Sequence, residues 1–526
     1  MRLCPTVCAI AAGVAMVFSS GGATAQIINS APAQAPAQAP AQAAPQTDPK
    51  TDRVRLFHRT QIIVKFADGA EPGAVMAAAV AGDRESYRDG AAFDFAAQST
   101  GATLVDLSAA AIQTESNVGR FGVERIGGTE SSRTQPLDAL IERLNADPRV
   151  EYAQKNYLMQ PFQSSDLIND IIGGRKPPND PYLEFQWHLK RHGDSLTADN
   201  APGAVNFPVA WEKHTPQRNV VVAVIDTGQL YDHDDVNGAL LLPGYDFVSD
   251  PFVGNDGDGR DADATDVGDA SGIDDCFPGS QASDSSWHGS HVSGIAGLAS
   301  TDNDLGIASP VPSGIAFVPV RALGRCGGYT TDLVDAVLWA AGINVPGAPP
   351  NQNPALVINA SFGGPSAGCD PAFRDALAQL KAKGAVLVAA AGNETDDSQY
   401  YSPSGCTDAF TVAASDMMGA LAPYSNFGDK VDILAPGGDV SQDLNGDEYA
   451  DGILSIVADG YSFYNGTSMA APLVSAAIAL ALTHNPGWSV DDAIRRLTSS
   501  AMARSGTQCA EPCGAGLMDV SGLLDY

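Results

Sequence analysis

The sequence predicts an α/β fold, a parallel β-sheet with helices on both faces, preceded by a small α+β domain. Three observations carry this. Across residues 179–526, short apolar runs rich in β-branched residues alternate with stretches of helical spacing. Strands buried on both faces and joined by crossing helices read this way. Residues 51–165 hold sparser strand and helix signals, and residues 166–178, with Gly173-Gly174 and Pro177-Pro178, have the composition of an exposed linker. A chain of 526 residues is also too long for one ordinary core.

Taken in order, the N-terminus reads as an address. Arg2 precedes an apolar stretch at 7–18 and then Ala23-Thr24-Ala25. Charged, apolar, then A-x-A is the order of a secretory signal over residues 1–25, cleaved after Ala25. The apolar stretch is too short to span a bilayer, and no later segment has the length and flanks of a membrane helix, so a released product is expected. Residues 26–50 are rich in Ala, Pro and Gln and build no core, so they form a spacer.

Within 51–165, residues 61–66 predict a strand. Residues 136–145 predict a helix with Leu137, Leu140, Ile141 and Leu144 on one face, and residues 150–152 a last strand. Beyond 179, the runs at 220–225, 315–320, 356–358 and 385–390 predict buried parallel strands. Functional residues in such sheets lie just past the carboxyl ends of the strands.

Four motifs stand at such places. Asp226 ends the first run, before Thr227-Gly228; a carboxylate there can orient a histidine, or be an ordinary turn residue. His288 opens HGSHVSGIAG; at a helix start, facing solvent, it can act as general base, and with His291 three positions on it can also be half of a metal pair. Ser468 lies in NGTSMAAP before a long apolar run, as a nucleophile near a helix N-terminus or as a simple cap. Asn393 ends VAAAGN, where its amide can donate to an oxyanion or close a turn.

The net charge of −32 disfavours nucleic acid and anionic membrane as partners. The acids cluster. Residues 246–275 hold ten Asp and one basic residue, Arg260, with Asp256, Asp258, Asp261 and Asp263 at the core. A second stretch places Asp443, Asn445 and Asp447 at alternating positions. Both suit Ca2+ as oxygen-rich loops, or are solvated acidic loops. Six cysteines remain beyond the signal: Cys276, Cys326, Cys369, Cys406, Cys509 and Cys513. An even count in an exported chain predicts disulfides, and sequential pairing is the expectation.

Together the motifs VIDTG, HGSHVSGIAG, AAAGN and NGTSMAAP resemble the subtilisin family of serine peptidases, over residues 179–526. Ser290 and Ser293 stand where that family more often has Thr and Ala. The resemblance implies Ser468 as nucleophile, His288 as general base, Asp226 as orienting carboxylate, and Asn393 with the Ser468 N–H as oxyanion donors. It implies that Ser361, Phe362 and Gly363 pair with an extended substrate, with Ala390 and Gly392 leaving room for an apolar side chain. His291 resembles a second, non-catalytic histidine of the family. Residues 51–165 resemble, less specifically, an inhibitory propeptide, with processing between 160 and 180. The implied protein is a secreted, monomeric serine endopeptidase acting on proteins or peptides, inhibited by its own propeptide and carrying structural calcium. The rival from another class is an inactive secreted calcium-binding or adhesion protein on the same fold, which predicts erosion of a catalytic motif. A lipase-like esterase would place its serine in G-x-S-x-G, whereas Ser468 lies in G-T-S-M-A.

Overall fold

Seven strands, all parallel, form the central sheet in the order Ile433–Pro436, Ala409–Ser415, Val386–Ala390, Val357–Ala360, Val220–Asp226, Ile315–Arg321 and Tyr245–Asp246. The structure, a computed structural model, describes residues 53–81, 93–107, 121–126, 136–162 and 180–525. The signal at 1–25, the spacer at 26–50 and the linker at 166–178 lie outside the described residues.

The α/β class expected from the alternating runs is the one observed. Alternate residues of the Val220–Asp226 strand enter different cores. Val220, Val222 and Val224 face the helix Thr467–His484. Ala223 and Ile225 face the helices Thr330–Ala340 and Pro371–Ala382. The period-two pattern of a strand thus serves two apolar layers, which explains its unbroken hydrophobicity. Helix Thr467–His484 is apolar all round and buried throughout. By length and composition it is long and apolar enough to cross a membrane, with a mean hydropathy of 1.4. Here it is a core helix.

The strand order reverses beside the first strand. After Val220–Asp226 the chain lays Tyr245–Asp246 at the edge on one side, fills the gap with Ile315–Arg321, then crosses back to lay Val357–Ala360 on the other side. A crevice opens beyond the carboxyl ends of those two strands, as parallel sheets provide at such a switch.

The N-terminal unit is an antiparallel sheet with two helices. Its elements are β1 (Arg53–Phe66), α1 (Pro72–Val80), β2 (Asp94–Ala97), β3 (Thr103–Asp106), β4 (Phe121–Ile126), α2 (Pro136–Asn145) and β5 (Val150–Pro161). β1 is central and pairs with β3, β4 and β5. Phe57, Ile62 and Val64 pack on Val75, Met76, Leu137, Leu140 and Leu144. The predicted helical face therefore faces this core, with Ile141 at its margin. The opposite face, with Ile63 and Tyr152, belongs to the core of the helices Thr330–Ala340 and Pro371–Ala382.

Polar links fasten that second face. Arg55 Nη2 meets Asp370 Oδ2 at 2.6 Å in a buried pair, with the guanidinium stacked on the Tyr157 ring. Lys65 Nζ meets Asp375 Oδ2 at 2.6 Å, and the Ser99 hydroxyl donates to Asp335 Oδ1 at 2.6 Å. β5 runs well beyond the three residues expected. It pairs antiparallel with Gly328–Tyr329 on one side and Phe362–Pro365 on the other. Residues 153–161 have no clean alternation because both faces of the strand are mostly covered.

The disulfides join Cys276 to Cys326, Cys369 to Cys406, and Cys509 to Cys513, the sequential pairing expected. Arg55→Ala is expected to weaken docking of the N-terminal unit by about 3 kcal/mol, because it leaves the Asp370 carboxylate buried without its cation. Hydrogen exchange checks this: β5 amides should exchange faster in the variant, while those of Val220–Asp226 keep their wild-type rates.

Candidate active site

Asp226 is the last residue of the first central strand, at the mouth of the crevice. It is 1% exposed. Its Oδ1 accepts the Thr227 N–H at 2.8 Å and lies 2.7 Å from His288 Nδ1. That bond places the imidazole proton on Nδ1 and leaves Nε2 with its lone pair free. His288 opens the helix His288–Ser293, which approaches the strand end closely because residue 289 is glycine. A Cβ at Gly289 would fall 2.3 Å from the Gly228 carbonyl oxygen. The expectation that His288 faces solvent is corrected: it is 0% exposed, and its Nε2 is buried with no hydrogen-bond partner. The strands Val220–Asp226 and Ile453–Val457 and the helix Thr467–His484, packed against its helix, exclude water from this corner.

Ser468 is the second residue of the helix Thr467–His484. Its hydroxyl donates to the Ser361 carbonyl at 2.9 Å, and the Ser361 hydroxyl returns a bond to the Ser468 carbonyl at 2.9 Å. The second bond depends on Pro472. A helical carbonyl is normally taken by the N–H four residues on, and proline has none. The Asn359 amide in turn donates to Ser361 Oγ at 2.9 Å.

Asn393 follows the strand Val386–Ala390. Its Oδ1 accepts the Thr467 N–H and the Thr467 hydroxyl, both at 2.9 Å. This orients the amide and leaves Nδ2 buried without an acceptor. Asn426, fully buried, holds the loop behind it. Its N–H donates to Gly392 O at 2.9 Å, and its Nδ2 donates to Ala391 O at 3.0 Å. Its Oδ1 accepts the amides of Glu394 and Asp396 at 3.0 and 2.9 Å. Sequence reasoning missed Thr467 and Asn426. Thr467 stood inside the NGTS motif, whereas Asn426 carries no spacing signal.

The crevice holds the end of β5. Gln160 pairs with Gly363 and Pro161 with Phe362, and the Phe162 N–H donates to Ser361 O at 3.1 Å. The Phe162 ring is buried in a cluster with Ala390, Ala391 and Tyr401, and lies edge-on to the Tyr401 ring at 6.4 Å. Gly363 permits this approach, because a Cβ there would lie 2.6 Å from the Phe162 ring. Phe362 offers only backbone to the crevice; its ring packs on Phe373 in the second core. A Cβ at Gly392 would lie 2.2 Å from Asn426 Nδ2.

His291 does not pair with His288 around a common ion. Its Nε2 lies 3.0 Å from Ser462 O and its ring stacks on Tyr464 at 4.2 Å. Burial pushes its pKa down to about 3. Among the described residues no three His, Cys, Asp or Glu side chains stand together to hold a metal ion. In the first acidic stretch, Arg321 binds both Asp256 and Asp246. Asp256 accepts the Asp258 amide, Asp261 the Asp263 amide, and Asp263 the Thr265 amide. A guanidinium seated on Asp256 does not fit a cation site. In the second stretch, Asp443 and Asp447 cap amides of their own loop. Asp451, outside the expected set, is 1% exposed with an Oδ1 that has no partner. Burial raises its pKa to about 6, and Asp443, Asp447 and Asp439 add to the effect. Asp451 Oδ2 accepts the Leu444 N–H at 2.8 Å, which ties it to the same loop.

The chain was compared with known proteins. A family model described as the subtilase family, Peptidase_S8, matches residues 217–516. An extracellular protease of Xanthomonas campestris pv. campestris is 36% identical over 77% of this chain and 64% of its own length. An extracellular basic protease of Dichelobacter nodosus is 36% identical over 67% of this chain and 54% of its own. The matched regions thus span less than two thirds of these relatives. A solved protease from Pseudoalteromonas arctica is 39% identical, with a TM-score of 0.59, over 66% of this chain and 98% of that one. Fervidolysin from Fervidobacterium pennivorans, at 19% identity and a TM-score of 0.55, shares the fold over 91% of this chain and 63% of its own. That share exceeds what residues 180–526 supply, so the fold likeness extends into the N-terminal unit. With its parallel sheet, the order of its motifs and the family match over most of its C-terminal part, the chain belongs to the subtilase family.

Proposed function

We propose that the chain is the precursor of a secreted serine endopeptidase and that residues 51–162 are its own inhibitor. The observation that carries this reading is the Ser361 carbonyl, which accepts both the Phe162 N–H, at 3.1 Å, and the Ser468 hydroxyl, at 2.9 Å. A peptide held by its residue-162 amide on that oxygen brings its own next carbonyl to the Ser468 side chain. The Phe162–Gln163 bond is then the one offered for cleavage. The names of the relatives, extracellular proteases, support export and protein substrates.

The chemistry follows from the partners each atom has and lacks. The Ser468 hydroxyl leaves Ser361 O and turns to His288 Nε2, which takes its proton as Oγ bonds to the peptide carbon. Asp226 keeps the Nδ1 proton in place and stabilises the imidazolium. The oxyanion takes hydrogen bonds from Asn393 Nδ2 and the Ser468 N–H. As the C–N bond breaks, His288 returns the proton to the departing amine. A water deprotonated by His288 then attacks the ester, and the Ser468 hydroxyl is restored.

A structural calcium ion belongs to the same reading, at the loop of Asp443, Asn445 and Asp447 with Asp451 added. It would neutralise the acids there and tie the loop down. Adding calcium at about a hundred times its Kd is expected to raise Tm by roughly 3 °C, an effect that EDTA abolishes and Asp451→Asn removes. A Tm indifferent to both ions and chelator overturns the calcium assignment.

Ser468→Ala should leave the exported precursor as one chain and abolish peptide hydrolysis; turnover by that variant overturns the mechanism. Asn393→Ala should lower kcat by roughly 10²–10³-fold with little change in KM, the usual loss when one oxyanion donor of this family is removed. Mass spectrometry of the wild-type secreted products should find an N-terminal fragment that ends at Phe162.

A further inference from the structure

Two further carboxylates, on the loop that precedes the helix of His288, are linked through hydroxyls to the first backbone amides of that helix. Asp269 Oδ1 accepts the Ser286 N–H at 2.6 Å and its Oδ2 accepts the Ser286 hydroxyl at 2.8 Å. Ser286 Oγ then accepts the His288 N–H at 3.3 Å. Asp266 Oδ2 accepts the Thr227 hydroxyl at 2.7 Å and its Oδ1 the Gly268 N–H at 2.9 Å. Thr227 Oγ1 accepts the Gly289 N–H at 2.9 Å. Two consecutive amides, those of His288 and Gly289, are thus held by two hydroxyls, and each hydroxyl gives its proton to a carboxylate. Charge on the carboxylate strengthens each relay, because a hydroxyl that donates to an anion accepts better.

We propose that Asp266 and Asp269 are positioning residues for His288, fixing the first turn of its helix and adding negative charge that stabilises its imidazolium. The proposal rests on the reading of His288 as general base. Both acids belong to the stretch whose composition suggested calcium, and Thr227 and Ser286 join them to the reaction centre.

The groups around His288 can be named element by element. The strand Val220–Asp226 brings Asp226, bonded to Nδ1. The loop brings Asp266 and Asp269. Its own helix brings His291, which burial keeps neutral. The strand Gly460–Tyr464 brings Tyr464, whose hydroxyl donates to Ser286 O at 2.8 Å. The strand Ile453–Val457 and the first turns of the helix Thr467–His484, also packed against this helix, carry no titratable side chain. The field at the imidazole is therefore set by carboxylates. Burial pushes Asp266 up to about 7, with Asp269 and Asp226 adding to the effect. Burial also raises Asp269, while His288 acts to lower it. Above neutral pH Asp266 is charged.

The stability sign is opposite to the catalytic one. The folded pKa of Asp266 lies above its unfolded value, so ionising it in the folded state costs stability. That cost is absent below about pH 4 and complete above about pH 7. Loss of the charge should therefore impair proton transfer without lowering Tm at pH 8.

The isosteric variants Asp266→Asn and Asp269→Asn, alone and together, test this in the full chain. In the matured enzyme the acid limb of kcat/KM should move down by about one pH unit in the double variant, and kcat should fall roughly tenfold with KM unchanged. Tm at pH 8 should not fall in Asp266→Asn. Superimposable pH profiles with wild-type kcat overturn the proposal. Where a variant does not mature, histidine-selective NMR of the Ser468→Ala precursor reads the imidazole directly: His288 should titrate about one pH unit lower without the two charges, and an unmoved titration overturns the proposal. The NMR result stands apart from turnover. A wild-type chain that hydrolyses no peptide but still shows the NMR shift would refute the peptidase reading and leave the coupling in place.

Discussion

A carboxylate and an imidazole kept out of water are costly to assemble, and the C-terminal part of the chain is arranged around one such pair. Asp226 and His288 are 1% and 0% exposed, and their hydrogen bond is 2.7 Å long. Each charge removed from water costs several kcal/mol unless donors replace the solvent. The donors here come from rigid elements: the amide of Thr227 at the end of a central strand, and the first turn of a helix drawn close by Gly289. The reversal of strand order opens a crevice beside that strand end. Three atoms of the site, Asp226 Oδ2, His288 Nε2 and Asn393 Nδ2, remain buried and unpaired. Orphaned polar atoms are rare in folded proteins. Here all three belong to residues that the four motifs single out.

The same cost explains where the acids go. With a net charge of −32, carboxylates could simply have stayed in solvent. In the 246–275 stretch, several do not. Asp246 and Asp256 share Arg321, and Arg260 reaches across to Asp332 and Asp335. Asp266 and Asp269 turn inward onto hydroxyls. Composition over this stretch is that of a cation-binding loop, but much of its charge is matched by guanidinium groups and by backbone and hydroxyl donors. One of those guanidiniums, Arg321, comes from a strand far along the chain, and no local reading could have paired it.

Legibility in the sequence followed the range of the interaction. Four of the seven central strands, those near 220, 315, 356 and 385, were readable because their burial on both faces is written in their own residues; Tyr245–Asp246, Ala409–Ser415 and Ile433–Pro436 were not read. The helix Pro136–Asn145 was readable from its own period. Asp226, His288, Asn393 and Ser468 were picked out because each sits where a strand ends or a helix begins. Their meeting was inferred from the order of four motifs, since no spacing along the chain encodes it. The solvent-facing placement of His288 failed because its cover comes from distant segments. The length of β5 was missed for the same reason. Residues 153–158 are strand through β1, and 159–161 only because Gly328–Tyr329 and Phe362–Pro365 flank them. Asn426 and Asp451 act through partners that a linear motif does not mark.

β5 also links the two parts of the molecule in two different ways. Its last residues are held by backbone bonds and by the Phe162 ring, contacts that any extended peptide with a bulky apolar residue can make. The body of the N-terminal unit is held by features peculiar to it: Arg55 on Asp370, Lys65 on Asp375 and Ser99 on Asp335. The first set obeys the rules of the crevice and the second does not. A cut after Phe162 would sever the covalent link and leave the second set untouched. Severing the chain and freeing the crevice are therefore separate events, governed by different interactions. The buried pair Arg55–Asp370 is screened little by salt, whereas the half-exposed Lys65–Asp375 pair is screened more. The hold of the unit on its partner consequently depends less on ionic strength than its charged composition suggests, and more on keeping Asp370 dry.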